Sequence, residues 1–290
     1  MAALIGNKYI CAMKNEYQKY FEANKDGWNK RTAIHKNSAF YDLEAFKKGK
    51  TSLNKIELEE VGDVKGKSLL HLQCHFGMDT LSWARLGANC TGVDLSDEAI
   101  ELAKQLNEEL QLTASFICCN VYDTADHVKE QFDIIFTSYG TIGWLPDLKP
   151  WAKMIAAKLK PGGFFYIADF HPTLWMLDDA MEKLTYSYFN DEVIVTEQQG
   201  SYTDRNAAIN YTEYGWNHPL SELLGVLITE GLQIEFLHEY SYSPYNCFAN
   251  VEQGVDGMWR FIGMGNKFPM MYSVKALKNN KIPSGGYLQL

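Results

Sequence analysis

The alternation of short buried-strand patterns with helical patterns between residues 67 and 170 most limits how this chain can fold. Five apolar strand patterns are separated by helical or turn segments; they cover residues 68–72, 89–94, 114–119, 132–138 and 164–169. Parallel strands need a crossover of a dozen or more residues, which a helix usually provides. The segment therefore predicts an α/β domain with a mostly parallel sheet and helices on both faces.

Local helix signals agree with this arrangement. Ser96 is a favourable N-cap, and Asp97 and Glu98 follow it in the first turn, where acidic side chains suit the helix dipole. Residues 79–86 form a helical pattern, and Gly87 follows where a left-handed C-terminal residue is common. We expect a helix after the first strand and another after the second.

The N-terminal part has a different pattern. Residues 9–24 show the helical spacing of an amphipathic helix, which we expect Gly27 to end, and residues 53–61 predict a second helical segment. We assign residues 1–60 to an N-terminal helical lid and residues 61–172 to the α/β core.

After Pro172 the pattern becomes one of aromatic and β-branched residues. Three segments read as short antiparallel strands, 184–189, 192–198 and 207–214, with Asn190 and Asp191 in the first turn. We expect residues 173–216 to form an inserted β cap. Residues 217–290 then complete the core with a helix at 218–230 and two strands, 232–240 and 268–277, separated by a long loop.

Composition restricts the partners. The chain has 36 acidic and 27 basic residues, a formal charge of −9, and no basic run, which disfavours a nucleic-acid partner. The longest apolar run, Leu223 to Ile228, is far too short for a membrane span, and residues 1–8 do not resemble a secretion signal. The six cysteines show no disulfide or zinc spacing. We expect a cytoplasmic protein that acts on a small molecule, without nucleic acid or membrane.

The loop after the first strand and the end of the second strand predict a ligand site. Ligands of open parallel sheets bind beyond the carboxyl ends of the strands, and Asp94 ends the second strand 17 positions after Gly77. A carboxylate there can accept both hydroxyls of an adenosine ribose. Gln73 and His75 stand where a dinucleotide-binding loop would have glycines, so a pyrophosphate would fit poorly. An adenosine cofactor without phosphate is favoured.

The order of five motifs resembles that of the class I S-adenosylmethionine-dependent methyltransferases, of the bacterial small-molecule type with a variant glycine loop. The motifs are residues 71–77, 91–96, 120–121, 132–135 and 159–163. The loop departs from the family pattern at His71, where an acidic residue is usual, and at Gln73 and His75. The resemblance implies a Rossmann-like methyltransferase sheet with a closing antiparallel strand pair, and it makes S-adenosyl-L-methionine the expected cofactor of residues 61–172.

The resemblance also implies roles for individual residues. Asp94 would hold the ribose and Leu95 would pack beside the adenine, which Asn120 and the backbone of Val121 would bind. The other implied positions are Gln73, His75 and Gly77 at the methionine moiety, and Tyr139 and Gly140 under the sulfonium.

Several of these residues have a simpler structural interpretation. Asn120 could cap a turn, and Asp94 could be an ordinary residue before a helix, although Ser96 already provides the cap. His71, Cys74 and His75 contain metal-ligand types, but strand alternation separates them and no second pair follows, so we expect no metal.

The remaining candidates lie in the flanking segments. A general base, if the acceptor needs one, should follow the fourth or fifth strand; His171 is our first choice and His218 our second. Trp28 and Arg31 could close over the cofactor, with Arg31 pairing its carboxylate, or could belong to a solvated connector. The aromatic cap could form a substrate pocket or the interface of a homodimer.

The sequence thus predicts an S-adenosylmethionine-dependent methyltransferase of a small-molecule acceptor. A non-catalytic S-adenosylmethionine-binding module is the first alternative, because the loop is unusual. A nicotinamide-dependent oxidoreductase is the second, and the missing glycines argue against it.

Overall fold

A seven-stranded sheet with helices on both faces forms the centre of the molecule. The computed structural model describes residues 2–279, with side chains from residue 17 onward. The helices are α1 (Ala2–His35), α2 (Leu43–Lys47), α3 (Lys55–Val61), α4 (Met78–Arg85), α5 (Asp97–Glu109), α6 (Thr124–His127), α7 (Leu148–Lys158) and α8 (Leu220–Thr229). The strands are β1 (Ser68–Leu72), β2 (Asn89–Asp94), β3 (Ser115–Cys118), β4 (Phe132–Ser138), β5 (Leu159–Phe170), β6 (Ile194–Gln199), β7 (Asn210–Gly215), β8 (Leu232–Tyr240), β9 (Val251–Gln253), β10 (Trp259–Phe261) and β11 (Met271–Lys278).

The sheet topology confirms the predicted fold class. The strand order is β3-β2-β1-β4-β5-β11-β8, in which the first five strands are parallel and β11 runs antiparallel to both β5 and β8. The order reverses between β1 and β4, because the chain adds strands outward on one side and then on the other. Such a reversal opens a crevice at the carboxyl ends of these two strands.

Two apolar cores lie on opposite faces of the sheet. Leu70 and Leu72 of β1 face the core beneath α7 and α8, whereas Leu69 faces the core beneath α4 and α5. All three side chains are fully buried, because helices cover both faces of the parallel strands. Each such side chain stabilises the fold by about 1.5–3 kcal/mol. The strand ends that carry polar residues are therefore held by a rigid support.

The predicted end of the first helix at Gly27 is wrong. The helix α1 continues from Ala2 to His35, although an internal glycine costs about 1 kcal/mol relative to alanine. A Cβ at Gly27 would lie 3.0 Å from Cδ2 of Tyr211, so glycine allows β7 to approach the helix. The long-range contact outweighs the local preference.

The inserted segment contains one hairpin and not three strands. β6 and β7 pair antiparallel, with Ile194 opposite Gly215, and residues 200–209 connect them. The predicted strand at 184–189 contributes only an isolated bridge between Leu184 and Leu177, so Asn190 and Asp191 do not form a hairpin turn. A second hairpin, β9 with β10, occupies the stretch that we expected to be a loop before β11.

Two expectations reach beyond the described residues. Residue 1 and residues 280–290 are outside them, so the start of the chain and the end of the predicted 217–290 segment stay as predictions. Among the helices of residues 2–279, none combines the length and apolar character that a membrane crossing requires.

Candidate functional site

A cavity of about 800 Å³ lies at the carboxyl ends of β1, β2 and β4. All eleven predicted cofactor-binding residues line it: Trp28, Arg31, Gln73, His75, Gly77, Asp94, Leu95, Asn120, Val121, Tyr139 and Gly140. They come from α1 and from the carboxyl ends of four strands, β1 to β4, which the sheet topology brings together. The fold thus places all eleven residues around one space.

The loop after β1 has the conformation of a glycine-rich loop without most of the glycines. Gln73 and His75 both have left-handed backbones, with φ of 54° and 51°, and Gly77 follows with φ of 79°. A non-glycine residue in this region costs about 1–2 kcal/mol. At Gly77 no side chain fits, because a Cβ would lie 2.6 Å from the Phe116 ring. Gln73 and His75 therefore keep the left-handed backbone conformation that glycines would have in this loop.

Asp94 is fixed against this loop. Its Oδ2 accepts a hydrogen bond from the backbone N–H of His75 and its Oδ1 accepts one from Ser96, both at 2.8 Å. Burial raises the pKa of the Asp94 carboxyl, and the two backbone hydrogen bonds oppose that rise. Each oxygen can accept a further hydrogen bond, so the carboxylate suits a pair of neighbouring hydroxyl donors.

Asn120 has the capping role that the sequence left open. Its Oδ1 accepts a hydrogen bond from the Tyr122 N–H at 3.1 Å and begins a short 3₁₀ helix, Val121–Asp123. The amide also has two N–H donors, and the residue lines the cavity beside Leu95. Capping and binding of a heterocyclic ring are therefore compatible.

Gln73 lines the cavity and is anchored to the loop after β4. Its Nε2 donates to the Thr141 carbonyl at 2.8 Å, whereas its Oε1 is buried without a hydrogen-bond partner in the described structure. Such an atom costs about 1–3 kcal/mol. Gln73 therefore fixes the loop after β1 to the loop after β4.

Tyr139 and Gly140 form the floor of the cavity through Asp169. The carboxylate of Asp169 accepts hydrogen bonds from the backbone N–H of Gly140 and from the N–H and Oγ1 of Thr141, the latter two at 3.1 and 2.9 Å. Both Tyr139 and Gly140 are left-handed. The last residues of β5 thus set the loop that follows β4.

The acidic character of the wall disfavours a pyrophosphate. Asp79, Asp94 and Asp169 all line the cavity, and the buried cation Arg31 already forms an ion pair with Glu213. Aromatic rings from Trp28 and Trp144 lie in the same wall. Carboxyl groups and aromatic faces suit a cationic, phosphate-free ligand.

Helix α1 and the β6–β7 hairpin together form a roof over the cavity. Arg31 donates from Nε to the Tyr211 hydroxyl at 2.8 Å and lies over the Tyr211 ring, 4.6 Å from its centroid. Asn24 exchanges two hydrogen bonds with the Tyr214 backbone, at 2.8 and 2.9 Å. The charge of Arg31 is therefore neutralised within the protein, so a ligand carboxylate is not needed to balance it.

His35 connects the roof to the loop after β1. Its Nε2 is hydrogen-bonded to the Ser201 hydroxyl at 2.7 Å, and its Nδ1 lies 3.4 Å from Nε2 of His75. Burial, with a smaller contribution from Arg31, lowers the pKa of His35 to about 3. Its spacing from Trp28 and Arg31 along one helix face was the sequence signal for this contact.

The two histidines predicted as general bases do not line this cavity, which corrects that expectation. His171 is buried between the Thr173 hydroxyl, 2.8 Å from Nδ1, and the Glu239 carboxylate, 2.9 Å from Nε2. His218 is buried between the Leu145 carbonyl at 2.7 Å and Glu222 at 3.0 Å. Both ring nitrogens of each residue already have hydrogen-bond partners within the protein.

A buried carboxyl that the sequence analysis missed lies directly behind the cavity wall. Glu57 of α3 is 0% exposed and accepts a hydrogen bond from the Tyr139 hydroxyl at 2.9 Å. Its position three residues after Asn54 reads as an ordinary capping box, which the structure also contains. Only the contact with Tyr139 distinguishes it from a surface glutamate.

Comparison with known proteins finds a methyltransferase domain in the part of the chain that forms this site. A model of such a domain matches residues 70–167, which hold the loop after β1, Asp94, Asn120 and Tyr139. This part of the chain is therefore similar to a methyltransferase domain. The free lone pairs of Asp94 suit two neighbouring hydroxyl donors, such as those of a ribose.

Related sequences carry O-methyltransferase names. The chain is 28% identical over 161 residues to the ubiquinone biosynthesis O-methyltransferase of Coxiella burnetii (strain RSA 493 / Nine Mile phase I). The match covers 53% of this chain and 61% of that protein. The corresponding protein of Proteus mirabilis (strain HI4320) is 27% identical over 146 residues, 48% of this chain and 59% of its own length. The chain thus spans about 60% of the length of these relatives.

Solved structures share the fold. An S-adenosylmethionine-dependent methyltransferase from Clostridium acetobutylicum ATCC 824 aligns with a TM-score of 0.53 and 16% identity, over 95% of this chain and 99% of that one. One from Methanosarcina mazei aligns with a TM-score of 0.52 and 16% identity, over 79% and 99%. At such low identity these likenesses establish the architecture alone.

Proposed function

We propose that this methyltransferase transfers the methyl group of S-adenosylmethionine to a hydroxyl of a small molecule. The observation that carries the proposal is the continuity of the cavity. One space is lined both by the residues after β1 to β4 and by aromatic residues of the inserted segment, including Trp175, Tyr202 and Trp216. Such a space can hold two small molecules side by side, which is the arrangement that a transfer reaction needs.

The cofactor end is assigned to residues at the ends of β1, β2 and β3. Asp94 would hold the ribose, Asn120 the adenine, and Gln73 the methionine moiety. When bound, S-adenosylmethionine supplies a methyl group activated by the adjacent sulfonium. The protein then has to align the acceptor, exclude water and remove a proton where the acceptor is a hydroxyl.

The acceptor end is assigned to the inserted segment and to Phe248, which lies between β8 and β9. Leu174, Trp175 and Phe248 line the cavity there and also form a small apolar cluster with Phe170. Aromatic walls favour a flat, apolar acceptor. The O-methyltransferase names of the related sequences support a hydroxyl as the accepting group, and the homodimer suggested by the aromatic cap stays a prediction.

The roof would exclude water from the reaction. Trp28, Arg31 and His35 of α1 contact the β6–β7 hairpin and the loop after β1 at the same time. We propose that residues 1–60 and 173–216 act together as the lid, since each depends on the other for its buried polar contacts. A closed roof also strengthens the electrostatic interactions beneath it.

Two measurements test the proposal. Calorimetry with S-adenosylhomocysteine should detect binding to the purified protein, and methyl-labelled S-adenosylmethionine should label members of a panel of phenols. Absence of binding at millimolar ligand would refute the cofactor assignment. Binding without labelling of phenols, amines or thiols would favour the non-catalytic module.

A further inference from the structure

The carboxylate of Glu57 uses its two oxygens for different purposes. Its Oε1 accepts hydrogen bonds from the backbone N–H and the Nδ2 of Asn54, at 3.1 and 3.2 Å, and so completes the capping box of α3. Its Oε2 accepts one from the Tyr139 hydroxyl. The helix cap accounts for the first oxygen only.

Tyr139 connects the second oxygen to the cavity. Tyr139 lines the cavity, whereas Glu57 is fully buried behind it. The Tyr139 ring packs against Tyr245, with centroids 4.9 Å apart, and against Phe170 at 5.9 Å, on the side of the cavity assigned to the acceptor. A group in that space can therefore reach Glu57 through the phenol of Tyr139.

The surroundings of Glu57 favour a carboxyl that can take up a proton. The groups facing it are Asp79 of α4, Tyr139 after β4, Tyr166 of β5 and Tyr245 before β9. Burial, followed by repulsion from Asp79, raises the pKa of Glu57 to about 7. A base with a pKa near the working pH is both sufficiently ionised and sufficiently basic.

We propose that Glu57 is the acceptor of the proton that a hydroxyl substrate loses, with Tyr139 as the intermediate donor and acceptor. The O–H bond of the substrate breaks and its electron pair stays on the substrate oxygen. The proton goes to Oη of Tyr139 as the phenol proton of Tyr139 moves to Oε2 of Glu57. Tyr139 ends unchanged, and Glu57 ends neutral until it releases the proton to solvent.

The inference rests on the proposed function and deepens it. It selects acceptors that must lose a proton, such as phenols, over thioethers, which lose none. It also assigns the role that His171 and His218 cannot fill from their positions outside the cavity.

Three variants separate this role from a structural one. Glu57→Gln keeps an Oε1 acceptor for the capping box but removes the base, and Tyr139→Phe removes the connection. Glu60→Gln is the matched control, because Glu60 lies one turn later on α3 and accepts a hydrogen bond from Tyr166 at 2.7 Å without lining the cavity. Calorimetry with S-adenosylhomocysteine reports whether each variant still binds the cofactor product.

The decisive readout is single-turnover methylation of catechol over a range of pH. We expect the wild-type rate to rise with pH through about 7, as Glu57 ionises. In Glu57→Gln and Tyr139→Phe the rate should fall by about a hundredfold and lose that rise, and Glu57→Gln should bind the product as the wild type does. Wild-type behaviour in either variant, or methylation of thioethers but no phenol, would overturn the inference and leave the proposed function intact.

A second readout needs no cofactor. Infrared difference spectra of the protein between acid and alkaline pH should contain a carboxyl band that titrates near pH 7 and is absent from Glu57→Gln. The band should move to higher pH in Tyr139→Phe, because the Tyr139 hydrogen bond stabilises the ionised form. Absence of such a band would contradict the inference, whereas failure to bind S-adenosylhomocysteine would refute the proposed function itself.

Discussion

At the scale of single residues, Asp94 and Gly77 show two different ways of shaping the cofactor site. Asp94 accepts a backbone hydrogen bond from His75 in the loop it faces and another from Ser96, so its proposed ribose binding and the loop conformation depend on the same carboxylate. Gly77 has no side chain to contribute, and its value lies in the space that it leaves to Phe116. Asp94 contributes hydrogen-bond acceptors, and Gly77 contributes the space in which the Phe116 ring packs.

Asp94→Ala should weaken binding of S-adenosylhomocysteine at least tenfold, about 1.4 kcal/mol, because the charge-assisted hydrogen bonds to the ribose are lost. Calorimetry measures the change. Asp126→Ala, at an exposed position of α6, is the control and should bind as the wild type does. Equal affinities for the two variants would mean that Asp94 does not hold the ribose.

Gly77→Ala should lower the free energy of unfolding by about 2 kcal/mol or more, because it combines a left-handed backbone with a clash against Phe116. Gly231→Ala is the matched control, since Gly231 has φ of 82° but open space around it. Urea titration should show the larger loss for Gly77. Similar losses would assign the effect to the backbone alone.

At the scale of elements, the roof depends on polar contacts between segments far apart in sequence. Asn24 binds both backbone groups of Tyr214, and His35 is hydrogen-bonded to Ser201 in the connection between β6 and β7. Each contact joins α1 to the β6–β7 hairpin, in which each strand has only the other strand as a partner. The hairpin would be marginal alone and is stabilised by α1.

Asn24→Ala should loosen the roof without unfolding the sheet, since it removes two hydrogen bonds of about 1 kcal/mol each. Hydrogen exchange should become faster in α1 and in β6 and β7, and remain unchanged in β1 and β4. Asn37→Ala, just beyond the end of α1, removes only a local contact to Ala33 and serves as the control. Uniformly faster exchange would indicate global destabilisation instead.

Acid should destabilise the roof through His35. Its pKa is about 3 in the folded protein and ordinarily 6.5, so below pH 6.5 the unfolded chain binds more protons and the free energy of unfolding falls. The loss should approach about 1.4 kcal/mol per pH unit for this group. Urea titrations at pH 6.5 and 5 give the fall in the free energy of unfolding between these two pH values. In His35→Gln this fall should be smaller than in the wild type by about that amount. An unchanged pH dependence would contradict the assignment.

At the scale of the whole molecule, the sequence predicted what local patterns encode. The strands β4 and β8 coincide with their predicted residues, and Ser96 caps α5 as expected, with its Oγ accepting from the Ala99 N–H. The apolar period and the helix caps suffice for these features, because both are properties of neighbouring residues. The position of the loops that line the cavity follows from the order of the strands along the chain.

Contacts between distant segments were not predictable in the same way. The predicted end of α1 at Gly27 is wrong because the approach of Tyr211, which favours glycine there, is absent from the local pattern. His171 and His218 were predicted as bases from the ordinary pKa of histidine, although burial commits both to structural hydrogen bonds. Glu57 was not predicted, since only the fold brings Tyr139 beside a capping residue.

The pairing of Arg31 with Tyr211 joins residues 180 positions apart, and this separation has a consequence for the order in which the protein folds. Closing so long a loop carries a large entropic penalty, and contacts of this kind form late. During synthesis α1 emerges well before β7, and its inward face is uncovered in the meantime. The nascent chain should therefore acquire the parallel strands β1 to β5 before it acquires a closed site.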